Sequence, residues 1–213
     1  DQYLMAMNAH AACIRNALSY PKSLFIGDEL SILFKKDGFA EVVGELCAVG
    51  RKNGISVLLL CQDIDSICDC SAGTMILQNM VYRITGRLTS NAVNSWVKRL
   101  GYPAEIISQN ATEAFLPRAV DLCSNWLIET GGRFWQAQFY PGEMVLASVA
   151  NNQTELMARA RVMAQYPDTL KGRLLALKQF TTEYVQAIKE GRSLDNIGKN
   201  SVANIHQHKP HQN

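Results

Sequence analysis

The chain lacks the glycine-rich loop that cradles phosphates. No G-x-x-x-x-G-K-[ST] segment occurs in its 213 residues, and neither Gly27-Asp28-Glu29 nor Gly131-Gly132-Arg133 fits one. Without that loop there are no clustered backbone donors for phosphates and no lysine for the β/γ oxygens. It also lacks any run of about 18 apolar residues, which excludes a single spanning helix of ordinary composition. No signal peptide is visible, and there is no internal repeat. A strong excess of one charge is missing too: the net value is +2, so bulk charge does not argue for nucleic acid. Cysteine is present but incomplete as a metal set. Cys68-Asp69-Cys70 has no second cysteine pair or nearby histidine to finish four ligands. Of the six cysteines, Cys13, Cys47, Cys61, Cys68, Cys70 and Cys123, several lie in apolar patterns, as reduced buried thiols do, which points to a reducing compartment.

What is present is an ordinary globular composition, 47% apolar and 19% charged, enough for one or two domains with a buried core. The first residue is Asp1 rather than Met, which leads us to expect a fragment or a processed product.

Periodicity gives an alternating order of helices and strands. Leu4, Met7, Ala11, Ile14 and Leu18 lie near helical spacing over 3–19, with Pro21 as the stop. Residues 23–27 read as a strand. Residues 39–51 read as a helix with Phe39, Val42, Val43, Leu46 and Val49 on one face, closed by Asn53-Gly54. Ile55–Cys61 is a continuous apolar run of the kind buried on both faces of a parallel sheet. Strand, helix and strand then form a βαβ unit. A short helix at 73–78, a strand at 80–85, a helix at 90–100 and a short helix from Pro103 follow. Ser124–Thr130 and Arg133–Tyr140 read as a hairpin about Gly131-Gly132, an antiparallel addition to the parallel sheet. Helices are expected at 142–150, 153–165 (capped by Asn152 or Thr154) and 169–190, with Gly191 ending the last. The remainder, 192–213, is polar and rich in Asn, Gln and His, and is expected to be disordered. His206, His208 and His211 within it carry little weight as metal ligands.

The chemistry sits at strand ends. Ser23-Leu24-Phe25-Ile26-Gly27 runs straight into Asp28-Glu29. Acids that emerge from a buried parallel strand can face a nucleotide, the first positioning Mg²⁺ directly or through water and the second orienting the attacking water. Many buried strands also end at an acid for no chemical purpose. The second strand ends Leu60-Cys61-Gln62-Asp63. Ligands of open α/β sheets collect at such carboxyl ends, so Asp28, Glu29 and Gln62 should converge on one edge. Gln62 alone reads as a loop cap; paired with the acids at the matching strand end it reads as a site.

Leu24 to Glu29, the helix end Gly50-Arg51-Lys52-Asn53-Gly54, and Val57 to Gln62 resemble the C-terminal motor half of the type IV secretion assembly ATPases, the TraC/TrbE/CagE group of the FtsK/HerA class. The resemblance runs on through Ile76-Leu77-Gln78-Asn79, the helix around Trp96, Ala114-Phe115-Leu116-Pro117, the Gly-Gly hairpin and Pro141-Gly142-Glu143, about residues 20–165 in all. The family usually has Thr where Cys61 stands. The tail and cysteine usage resemble its Dot/Icm branch.

The resemblance implies a RecA-like, mostly parallel sheet flanked by helices, with residues 1–165 as the C-terminal part of an ATPase domain, a helix at 166–191 and a tail at 192–213. It implies ATP and Mg²⁺ as cofactors. Asp28 would hold the metal through water, Glu29 would serve as base, and Gln62 would contact the γ-phosphate or the water. It implies a hexamer at the cytoplasmic face of a bacterial inner membrane, partnered by the inner-membrane complex and a second secretion ATPase. Arg51 would then reach a neighbouring subunit's phosphates, with Arg83 and Arg87 as runners-up. The alternative for Arg51 is a cation at a helix C-terminus. The family's phosphate loop lies upstream of the segment matched here, so the chain alone should bind ATP very weakly and hydrolyse none. Two other readings stay open. One is a DNA-pumping motor of the same class, for which no convincing basic pore loop is present. The other is a non-catalytic docking module acting through 169–190 and the tail.

Overall fold

A computed structural model of the chain describes residues 2–20 and 22–199. The order is α1 (Gln2–Ser19), β1 (Leu24–Gly27), α2 (Leu30–Leu33), α3 (Asp37–Gly50), β2 (Ser56–Leu59), α4 (Asp65–Cys68), α5 (Gly73–Asn79), β3 (Arg83–Thr85), α6 (Ser90–Leu100), α7 (Ala104–Ile107), β4 (Ser124–Thr130), β5 (Arg133–Phe139), α8 (Glu143–Val149), α9 (Gln153–Met163) and α10 (Leu170–Lys189). This is a mixed α/β chain with two sheets. It divides into one unit of residues 1–115 and 126–137 and a second of 116–125 and 138–213.

In the first unit, β1 and β2 pair in parallel, with Leu24 opposite Ser56 and Gly27 opposite Leu59. Parallel neighbours need a long crossover, and α3 supplies it. Its buried positions are Phe39, Ala40, Val43, Leu46 and Cys47, spaced i, i+1, i+4, i+7 and i+8, a single helical stripe. Val42 and Val49, expected on that stripe, are exposed; Val42 lies about 100° of helical rotation from Val43, and Val49 about 60° from Leu46. Gly54 ends the crossover in the left-handed region at φ 70°, its amide bonding back to Arg51 O at 3.2 Å. Of the stripe expected on α1, only Ile14 is buried, against Phe25, Leu46 and Ile55. Leu4, Met7 and Leu18 are exposed.

The expectation of a strand buried on both faces is corrected. Phe25, Val57 and Leu59 pack under α3, whereas Leu24, Ile26, Leu58 and Leu60 are each more than 40% exposed. Alternation along each strand sends those side chains to the opposite face, and no described element covers it.

The hairpin is also placed differently. Gly131 (φ 56°) and Gly132 (φ 75°) turn β4 into β5 through the left-handed backbone of a type I′ turn. The pair adds to β3 in the order β3-β4-β5, a separate antiparallel sheet with Arg83 opposite Glu129. Among the described residues no strand bond joins β3 to β2. Under this sheet Tyr102, Ile107, Phe115 and Leu127 form a core with Trp96 and Phe134 packed against it. Glu129 is 6% exposed. It accepts from Arg83 at 2.6 Å and from the Gly132 amide at 2.9 Å, and Arg83 also donates to Leu77 O at 3.0 Å. Burial, then Glu129's charge, pushes the Tyr102 hydroxyl up to about 12. Asn110, fully buried, donates to Thr85 O at 3.0 Å and Gly86 O at 2.7 Å, closing the backbone past the end of β3.

The second unit is helical. Its core is small-residue rich, with Ala147, Ala150, Ala158, Ala176 and Ala187 letting helices approach around Val162, Phe180 and Tyr184. Asn152 and Glu155 form a reciprocal capping box on α9, and Thr169 caps α10. Helix α10 shares this core with α8 and α9, so it does not stand apart as a 166–191 element. The expected tail is corrected in its first part. Arg161 donates to Leu194 O at 2.8 Å and Ile197 O at 3.0 Å, and Ile197 is buried. Averaging 192–213 as one polar stretch hides Ile197 and Leu194, both packed against this core. Residues 200–213, with His206, His208 and His211, and Pro21 lie outside the described residues.

Asn110 gives a direct test. In Asn110→Asp a carboxylate faces two carbonyls it cannot bond, and stability at pH 7 should fall by about 2–4 kcal/mol. The folded-state pKa of that carboxyl is raised, so its deficit against wild type grows above the unfolded value of about 3.9 and shrinks below it. Urea melts at pH 7 and pH 4 measure both.

Candidate functional site

Parallel pairing brings the two strand tips together. The Leu60 amide donates to Gly27 O at 2.8 Å, and Leu60 O accepts from the Leu30 amide at 3.4 Å. The chain therefore leaves β1, turns through Asp28 and Glu29, and returns to Leu60 within two residues. Gly27 fits that turn tightly: a Cβ there would sit 2.9 Å from Cδ1 of the fully buried Leu30. Glu29 adopts φ 52°, ψ 37°, the left-handed region, at the N-terminus of α2. A bulky side chain there costs about 1–2 kcal/mol relative to ordinary backbone. Strain of this kind gathers at functional sites. The Asp28 carboxylate braces the turn, accepting from the Glu29 amide at 2.9 Å. Asp28, Glu29 and Gln62 are all exposed, at the carboxyl end of the parallel pair.

Sequence reasoning missed what lines the same end. Asp63 accepts from the Ser66 amide at 2.7 Å and from its hydroxyl at 2.6 Å, closing the turn into α4. Burial works against its ionisation. The Ser66 bonds, Ser31 and nearby Lys35 outweigh that and hold the Asp63 carboxyl below its usual range. The available signal was Asp63-x-x-Ser66 itself, a helix-start pattern. Phe34, Lys35, Asp63, Asp65, Ser66, Asp69 and Cys70 line a shallow cleft here. Arg99 bridges Asp65 at 3.5 Å and Asp69 at 2.7 Å. Cys61 occupies the place before Gln62; burial, then Asp63 and Cys70, pushes its thiol up to about 11, so it is a protonated packing group at neutral pH.

The arginines separate. Arg51 lies in the turn Arg51–Asn53 before β2, at the opposite end of the sheet. About 13 Å of strand divides Ser56 from Leu60 at the usual rise, so Arg51 is remote from the acids of its own chain. Arg83 is held by Glu129 and Leu77. Arg87, just beyond β3, is exposed and forms no ion pair with any described residue.

Among the described residues no three His, Cys, Asp or Glu side chains are grouped to hold a metal. The donor set at the tips, carboxylates and one amide, suits a hydrated Mg²⁺ that takes most ligands from water and phosphate. It offers no backbone cradle for the phosphates themselves. The chain matches no family model, and no curated protein is significantly similar to it.

The strain at Glu29 is measurable. Glu29→Gly should raise stability by about 0.5–1 kcal/mol, the relief of left-handed strain less the entropy glycine adds to the unfolded chain. Glu29→Val should lower it. Paired denaturant melts with equal stability for all three would show that the turn is unstrained.

Proposed function

We propose that the chain supplies the acidic, water-activating edge of a RecA-like ATPase motor, of the kind that drives assembly of, or export through, a type IV secretion machine. One observation carries the reading. Asp28 and strained Glu29 end one parallel strand directly beside the tip of the next, which bears Gln62. The resemblance of Leu24–Glu29 and Val57–Gln62 to the secretion ATPases supports it, as does a parallel pair crossed by α3.

On this reading Asp28 holds Mg²⁺ through a water, and the ion supplies charge neutralisation for phosphoryl oxygens. Glu29 takes a proton from the attacking water. Gln62 orients that water or bonds the γ-phosphate through its amide. Arg51, remote from its own acids, serves a neighbouring subunit's site in a hexameric ring. The phosphate cradle comes from outside these residues. The motor stands at the cytoplasmic face of the inner membrane against the inner-membrane complex and a second ATPase. No helix among the described residues is long and apolar enough to cross a membrane, in keeping with attachment through partners.

Isothermal calorimetry should show no micromolar binding of Mg-ATP to this chain; a micromolar Kd would overturn the division of the site. In a longer protein carrying the phosphate loop, Glu29→Gln should cut turnover at least about 100-fold, as loss of a general base does, and leave nucleotide affinity within about twofold. Unchanged turnover would remove Glu29 from the mechanism.

A further inference from the structure

After α10 the chain folds back onto its own helices. Gly191, left-handed at φ 64°, ends the helix, and the Arg192 amide closes the turn on Ala187 O at 2.8 Å. Residues 193–199 then lie against α9 and α10. The Asp195 amide donates to the Ser193 hydroxyl at 3.2 Å, and the Ile197 amide closes one tight turn on Leu194 O at 3.2 Å. Residues three apart eclipse in such a turn. Leu194 and Ile197 therefore come to one side, and both pack against the core of the second unit. Asp195 and Asn196 are exposed.

The groove reads this segment through its main chain. Arg161 donates to Leu194 O and Ile197 O. Gln165, four residues on along α9 and so on the same face, donates to Gly198 O. From α10, Glu183 accepts from the Gly198 amide at 2.9 Å. Glu183 is held ready for that bond: the Tyr166 hydroxyl donates to Gln179, which donates to the other Glu183 oxygen at 2.7 Å. None of these bonds to the segment uses one of its side chains. Its sequence matters at Leu194, Ile197 and Gly198. Gly198 has φ 76°, and a Cβ there would lie 3.1 Å from Val162 Cγ2 and 3.3 Å from the Val162 nitrogen. Both the backbone and the space call for glycine.

The segment is held less firmly than its receptor. Ordering about seven residues costs roughly as much conformational entropy as two apolar anchors and four hydrogen bonds offset. The helices α8, α9 and α10 are joined without it through Ala147, Ala158, Ala176 and Phe180. On release Arg161 and Glu183 turn to water, so no charge is left buried and unpaired. We infer that the α9–α10 groove is a recognition site for a Leu-x-x-Ile-Gly segment, closed in cis by residues 194–198 and open in exchange to the same segment of a second copy of the chain. An identical segment offers every contact described, so exchange alters connectivity and keeps the chemistry. The inference rests on the second unit alone and does not depend on the ATPase reading.

The tests use the full chain. Native-state hydrogen exchange should show the Gly198 amide exchanging at least about 100-fold faster than those of Phe180 and Tyr184, because the segment opens while the helices stay folded. A fluorescent peptide of residues 192–199 stands for the second copy's segment. In the wild type the tethered segment competes at about millimolar effective concentration. Anisotropy should therefore report at least about tenfold tighter binding to Ile197→Asp, whose own segment is unseated. Adding Arg161→Ala to that variant should weaken binding at least about tenfold, through loss of two charge-assisted bonds. The same peptide carrying Gly198→Val should not bind. Sedimentation of the wild-type chain at about millimolar concentration should show dimers that Ile197→Asp lacks. Any of five results would overturn the inference: equal protection of Gly198 and Phe180, unprotected α10 amides in Ile197→Asp, no binding of the peptide to that variant, equal binding of the Gly198→Val peptide, or a wild-type chain that stays monomeric.

Discussion

The fold of the first unit hangs on the bonding of Leu60. Its amide and carbonyl both reach across to the end of β1, meeting Gly27 O and the Leu30 amide. That reciprocal pair continues the parallel ladder by one step and reverses the neighbouring chain at the same time. The crossover helix α3, the close fit at Gly27 and the left-handed backbone of Glu29 are all conditions of it. Parallel strands end side by side only when a crossover returns the chain to the same end. This is why groups more than thirty residues apart in sequence, Asp28 and Gln62, lie at one edge.

The chain uses its carboxylates in two opposite ways. Glu129 is buried and accepts from a guanidinium and a backbone amide, an arrangement that fixes the hairpin to β3 and leaves the group inert. Asp28 and Glu29 stand in water on a strained turn. An arginine follows the same division. Arg83, which sequence alone offers as a catalytic candidate, is the partner that makes Glu129 tolerable. Arg51 and Arg87 remain exposed.

Sequence periodicity revealed the elements well where local pattern decides them. The glycine stops at Gly54 and Gly191, the Asn152 cap and the Gly-Gly hairpin all have local causes, and each falls where the spacing predicts. It failed where distant partners decide. Val42 and Val49 look like core in a helical projection until the sheet shows which stripe of α3 it covers. The continuous run Ile55–Cys61 signals burial on two faces, yet the described structure covers one. Ile197 anchors a stretch whose composition reads as solvent-loving, because its side chain enters a distant core while its own carbonyl and that of Leu194 accept from Arg161. At the site, the acids and Gln62 were legible as strand ends. Asp63 was not, because its role is to close a turn whose helix, α4, is only one turn long.

The order in which the chain visits its two units has a genetic consequence. The first unit is completed by residues 126–137 and the second takes residues 116–125, so the polypeptide crosses the division three times. A single break at 115 strands the hairpin β4-β5 with the wrong half. A single break at 137 strands the segment before it. A single breakpoint at either place therefore leaves one of the two units incomplete.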